Sequence, residues 1–101
     1  MLKHVLYVPA QHAESAASLA LNLTGGVTLS PGHTGYWRAP DGDVVEDAIT
    51  LATIFEDGSN ARDAVAKLLF DRGEQAVAYE TNGVPHLIDA PPGDLTLQEA
   101  S

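Results

Sequence analysis

The sequence predicts an α+β fold with a split β-α-β core. Three observations predict it. A short, almost continuous apolar run stands near the start. Two stretches of helical apolar periodicity follow, with a long hairpin between them. A further pair of strand-like runs comes after the second of these. Strand, helix, hairpin, helix, strand is the order in which two β-α-β units interleave in one sheet. At 101 residues, 45% of them hydrophobic, the chain reads as one domain with a small core.

Residues His4–Val8 read as a buried strand, because Val5, Leu6, Tyr7 and Val8 are nearly continuous in apolar character. Pro9 ends it. From Gln11 to Leu23 the period turns helical. Ala13, Ala16, Ala17, Ala20, Leu21 and Leu23 form a stripe of small residues and leucines, which predicts close packing on a sheet, and Gly25-Gly26 stop the helix. Val27-Thr28-Leu29 opens a second strand, expected to break at Ser30-Pro31-Gly32. Thr34–Ala39 resumes it, Pro40-Asp41-Gly42-Asp43 turns the chain, and Val44 to about Glu56 returns as a long strand. Pro presets φ in such a turn, Asp caps it, and Gly takes positive φ. In the returning strand Ile49, Leu51, Thr53 and Phe55 share one face, while Ala48, Thr50, Ala52 and Ile54 share the other.

Asp57-Gly58-Ser59-Asn60 is a loop, and Asn60 followed by Asp63 predicts a helix start. Ala61, Ala64, Val65, Leu68 and Leu69 then give the cleanest helical periodicity in the chain. Lys67 and Arg72 lie toward its C-terminal end, where cations suit the dipole, and Gly73 is the expected cap. Ala76–Glu80 is a strand, Asn82-Gly83 a two-residue hairpin turn, and Val84–Ile88 the return. The expected domain is residues 1–89. Residues 90–101, with Pro91-Pro92-Gly93, are expected to be a flexible C-terminal tail.

Charge narrows the partners. Fourteen acids stand against five bases, a net charge of -9. General nucleic-acid binding needs clustered Lys and Arg, and anionic membrane surfaces attract cations, so neither is an expected partner. No stretch approaches the roughly 20 apolar residues of a membrane span. Met1-Leu2-Lys3-His4 runs straight into a strand without a signal-peptide layout, and there are no cysteines, so a cytoplasmic, reducing location is expected. Two helices cover only one face of a four- or five-stranded sheet, yet the first strand and the long strand are apolar on both faces. An uncovered apolar face is usually an interface, which predicts a homo-oligomer built sheet against sheet or by shared strands.

No catalytic signature is present: there is no cysteine nucleophile, no Ser/His/Asp spacing and no G-x-S-x-G. No cofactor motif is present either. His33 beside Asp41, Asp43, Glu46 or Asp47 has donors suited to a divalent ion, but not the spacing of a metal motif, and no metal site is assigned. Tyr36-Trp37-Arg38 is the densest interaction-prone triple, since a flat aromatic beside a guanidinium can hold a base and a phosphate. The neighbouring Gly32, His33, Thr34 and Gly35 leave backbone N–H groups approachable by an anion. Gly32, His33, Thr34, Gly35, Tyr36, Trp37 and Arg38 are therefore the candidate ligand-binding residues. The alternative use of these side chains is packing, with Trp37 in a core or interface and Arg38 tied to the turn.

The run from Gly26 to Glu56 resembles the central hairpin of the PII-like and CutA-like small trimeric proteins. Its elements are Val27-Thr28-Leu29-Ser30-Pro31-Gly32, then Tyr36-Trp37, then Asp43–Asp47, then Ile49–Phe55. In order and spacing the resemblance covers about residues 4–80. It implies a ferredoxin-like β-α-β-β-α-β sandwich, here with an extra C-terminal hairpin strand, usually trimeric, with ligands in clefts between subunits near the hairpin. The chain departs from the PII pattern in lacking a long basic loop for phosphates. It departs from CutA after the second helix, where it has the Asn82-Gly83 hairpin. The functional expectation is a non-enzymatic oligomer, a trimer, that binds a small anionic metabolite or nucleotide-type signal between subunits. A viral protein that sequesters such a signal also suits a compact acidic chain. The alternative is a protein-interaction or inhibitor module that presents the 36–47 hairpin to a partner protein.

Overall fold

A computed structural model describes residues 1–91. The elements run β1 (Leu2–Pro9), a 3-10 turn (Ala10–His12), α1 (Ala13–Thr24), β2 (Thr28–Arg38), β3 (Val44–Glu56), α2 (Asn60–Asp71), β4 (Ala76–Thr81) and β5 (Val84–Asp89). The strands form one sheet in the order β2-β3-β1-β4-β5, and every neighbouring pair is antiparallel. This is the ferredoxin-like sheet with β5 added at one edge.

Alternation along the strands divides the sheet into a covered and an open face. His4, Leu6 and Val8 of β1, Thr50, Ala52 and Ile54 of β3, and Val77 and Tyr79 of β4 are buried under the helices. Ala16 and Ala20 of α1, with Ala61, Val65, Ala66 and Leu69 of α2, close the core above them. Alanines at the contact let α1 approach, and they explain why so small a core is continuous. Val5 and Tyr7 of β1 and Ile49, Leu51 and Thr53 of β3 lie half-buried on the open face, with Phe55 exposed beside them.

Several local expectations are corrected. The second strand does not break at Ser30-Pro31-Gly32. It runs through, with a register shift from Ser30↔Leu51 to His33↔Ile49. One extra residue in β2 is a bulge, Gly32 takes φ 84° there, and Pro31 lacks an N–H that an edge strand does not need. In α1 the outer leucines of the stripe, Leu21 and Leu23, are exposed, and Leu19 packs on the core instead. In α2 Leu69 is fully buried and Leu68 only packs at the margin. The N-cap of α2 is Ser59 rather than Asn60. The Asn82-Gly83 turn has both residues at positive φ, 50° and 83°, as a two-residue hairpin of right-handed twist requires. The expectation of a loose tail falls on residues 92–101, outside the described residues; Ala90 just before them donates its N–H to the Gln75 carbonyl at 2.9 Å.

Candidate functional site

β2 is exposed along almost its whole length, so among the described residues no other element covers the outer part of the β2–β3 hairpin. Its turn is tied internally. Ala39 donates to Asp43 O at 2.8 Å, Gly42 donates to Ala39 O at 2.9 Å, and Asp43 N–H donates to Asp41 Oδ1 at 3.0 Å. Gly42 sits at φ 93°, where an L side chain is strained.

Strand alternation splits the candidate residues between two faces. His33, Gly35 and Trp37 pair with Ile49, Asp47 and Val45 on the open side of the sheet. Thr34, Tyr36 and Arg38 pair with Ala48, Glu46 and Val44 on the other. Trp37 and Arg38 therefore do not converge within one chain. Trp37 is 51% exposed and donates its indole N–H to Asp47 Oδ2 at 2.7 Å. Arg38 donates through Nη1 to Gly42 O at 2.8 Å, and no other hydrogen bond engages its guanidinium among the described residues. Tyr36, on the Arg38 face, is 68% exposed. Gly35 has a packing reason: a Cβ there would stand 3.1 Å from Ile49 Cγ1. His33 Nε2 and Ser30 Oγ share a hydrogen bond of 3.0 Å across the bulge.

The acids do not gather around His33. Asp47 is held by the indole, Asp41 by the turn, and Glu46 faces the opposite side. Among the described residues no three His, Asp or Glu side chains are grouped to hold a metal ion. Two concavities of the described surface lie away from residues 32–38. One of about 330 Å³ runs between α2 and β5, lined by Ala66, Phe70, Ile88 and Pro91 with Asp63 and Lys67 at its rim. Another of about 350 Å³ lies beside Gly25-Gly26, with Thr53 and Phe55 in its wall.

Two polar clusters escaped the sequence reading. His4 is fully buried, with Nδ1 2.8 Å from Thr81 Oγ1 and Nε2 2.8 Å from Gly58 O. A carbonyl only accepts, so Nε2 carries a proton. Glu56 lies 3.4 Å away and accepts the N–H groups of Ala61 and Arg62 at 2.9 and 3.0 Å. The alternation of His4 with Leu6 and Val8 was the signal for its burial. On the open face the Tyr7 hydroxyl donates to the Glu80 carboxylate. That bond raises the Tyr7 pKa, and burial and the negative charge of Glu80 raise it further.

Sheet order, helix placement and the projecting hairpin together define the ferredoxin-like class that the PII-like and CutA-like proteins share. Among solved structures, the chain is similar to the divalent cation tolerance protein (Cut A1) from Thermus thermophilus. The TM-score is 0.55 at 22% identity, over 90% of this chain and 84% of that one. At this identity the likeness carries the fold. No family model matches the chain, and no curated protein matches it.

Proposed function

We propose that the chain is a non-enzymatic homo-oligomer, a trimer, that binds a small anionic metabolite or nucleotide-type signal between subunits beside the β2–β3 hairpin. One observation carries this reading. The helices cover a single face of the sheet, and the apolar open face continues onto a hairpin that nothing in the described chain covers. The similar solved protein shares the fold, and its title names divalent cation tolerance. The ligand site comprises Gly32–Arg38. Its anion-binding face is that of Thr34, Tyr36 and Arg38, where an exposed ring stands on the same side as a guanidinium with donors to spare. The net charge of -9 repels an anion at long range, but screening limits this beyond about 8–10 Å at cellular salt. An arginine repeated by symmetry then dominates locally.

Calorimetry against nucleotides and cyclic dinucleotides tests the reading, and the cyclic dinucleotides address the signal-sequestering role. Arg38→Ala is expected to lower affinity by more than about tenfold, the loss of roughly one charge-assisted pair, with the oligomer unchanged. If no compound binds, the second reading takes first place: the exposed Tyr36 and Trp37 make the 36–47 hairpin a surface for a protein partner.

A further inference from the structure

The hairpin face that carries Tyr36 and Arg38 also carries an acid. Glu46 is the cross-strand partner of Tyr36, and directly opposed side chains stand about 5 Å apart at their Cβ atoms. Both residues are exposed. Among the described residues the Glu46 carboxylate joins no ion pair and accepts no hydrogen bond. Arg38 follows Tyr36 on the same face, two residues or about 7 Å further at strand rise. It is diagonal to Glu46, and the two opposite charges do not pair. An open ring thus has an unused acceptor across from it and a guanidinium with donors to spare beyond it. Past Arg38 the turn adds two further acids, Asp41 and Asp43.

We infer that this face selects a guanine nucleotide with one phosphate per base, with Glu46 reading the base edge, Tyr36 stacking on the ring and Arg38 holding the phosphate. The inference rests on the ligand reading proposed above and adds to it the base and the number of phosphates. Stacking on tyrosine does not choose among bases, since every base has a π-face. The choice falls to Glu46. An ionised carboxylate only accepts hydrogen bonds. Guanine offers it two adjacent donors, N1–H and the 2-amino group, which match its two oxygens. Adenine places an acceptor, N1, at that edge and leaves the carboxylate without a partner. Hydrogen bonds to an ionised group are the stronger kind, so the difference favours guanine. The spacing of Tyr36 and Arg38 is on the scale of the step from a purine ring to its 5′-phosphate. One guanidinium with Asp41 and Asp43 close behind it suits a singly bridged or single phosphate, whereas a triphosphate meets the turn acids.

Calorimetry with guanosine, inosine and adenosine monophosphates, GTP, and the cyclic dinucleotides of guanine and adenine tests this on the full chain, with circular dichroism as the check on folding. The wild type is expected to bind the guanine compound of each pair about tenfold or more tighter than the adenine one, with inosine monophosphate, which lacks the 2-amino donor, in between. The monophosphate and the cyclic dinucleotide separate a free mononucleotide from a diester, and tight binding of either guanine form supports the inference. Glu46→Gln is expected to bring the guanine-to-adenine ratio to within about threefold without weakening the adenine compounds, because a carboxamide both donates and accepts. Arg38→Ala is expected to weaken both bases alike and leave the ratio. A wild-type ratio near one, a ratio that survives Glu46→Gln, or GTP bound more tightly than both single-phosphate forms overturns this inference while the ligand reading stands. If no nucleotide of the panel binds, both fail.

Discussion

Glu56 caps α2 from outside the helix, and removing it should cost more than removing the residue at the cap position. The first N–H groups of a helix have no partner within it. Here the two carboxylate oxygens of Glu56 accept from Ala61 and Arg62 at 2.9 and 3.0 Å. Ser59 occupies the N-cap but makes no capping bond with its side chain; its hydroxyl donates to Asp63 Oδ2 at 2.9 Å. Loss of a side-chain cap costs about 1 kcal/mol, and loss of an acid at the positive end of the dipole adds about 0.3–1 kcal/mol. The Glu56 side chain is only 11% exposed, which places it at the upper end of both ranges. Glu56→Ala should therefore destabilise by about 2 kcal/mol, a melting-temperature drop of roughly 8–16 °C for a domain this size. Ser59→Ala should stay within about 0.5 kcal/mol of wild type. Urea denaturation followed by far-ultraviolet circular dichroism measures both. A Glu56→Ala loss no larger than that of Ser59→Ala would refute the reasoning, since the cap would then lie in the loop itself.

Leu69→Ala should destabilise by about 2–5 kcal/mol and Leu68→Ala by clearly less, because only Leu69 is fully buried; chemical denaturation of the pair ranks them. Gly83→Val should cost about 1–2 kcal/mol or more, since the hairpin holds φ at 83°, and it should shift the melting temperature rather than ligand affinity. The raised Tyr7 pKa means that the folded chain holds this proton more tightly than the unfolded one. The stability from the Tyr7–Glu80 bond is then fully present below the ordinary value of 10.0 and is lost as pH rises through the raised one. Tyrosinate absorbance should show one of the three tyrosines titrating late, and Glu80→Gln should bring it back toward the others.

The fold was legible because period and punctuation agreed. The β1 run, the β3 alternation, Gly25 and Gly73 after the helices and the Asn82-Gly83 turn all stand where local chemistry put them. Errors fell where two readings of the same residues compete. Ser30-Pro31-Gly32 carries the composition of a break and also of an edge-strand bulge, and only the pairing with β3 decides between them. In α1 the alanines define a narrow contact stripe, so the larger leucines mislead; Leu21 and Leu23 are exposed to solvent although Ala20 between Leu19 and Leu21 is fully buried. Within the candidate site, period-two alternation applied to Tyr36-Trp37-Arg38 already implies opposite faces for Trp37 and Arg38, a consequence that their adjacency in the chain conceals. The His4–Glu56–Thr81 cluster joins residues as far as 77 positions apart and has no local signature.

The disposition of the five cationic side chains argues that recognition belongs to the sheet and not to the helices. Arg62 is bound to Asp63, donates to Thr81 and lies 4.7 Å over the Tyr79 ring. Lys67 pairs with Asp71 within α2, and Arg72 reaches Ser15 on α1. These three hold the helical layer to itself and to β4. The remaining two, Lys3 and Arg38, are on the sheet, at opposite ends and on opposite faces. In a chain of net charge -9 a cation left at the surface is a scarce feature, and its local field is what an anion or a neighbouring carboxylate meets within a Debye length. Lys3 lies on the open, apolar face of the sheet, and Arg38 lies on the other side of the hairpin. On the reading proposed above, ligand binding falls to Arg38, the cation on the hairpin with guanidinium donors to spare, which is why Arg38→Ala should weaken binding and leave association intact.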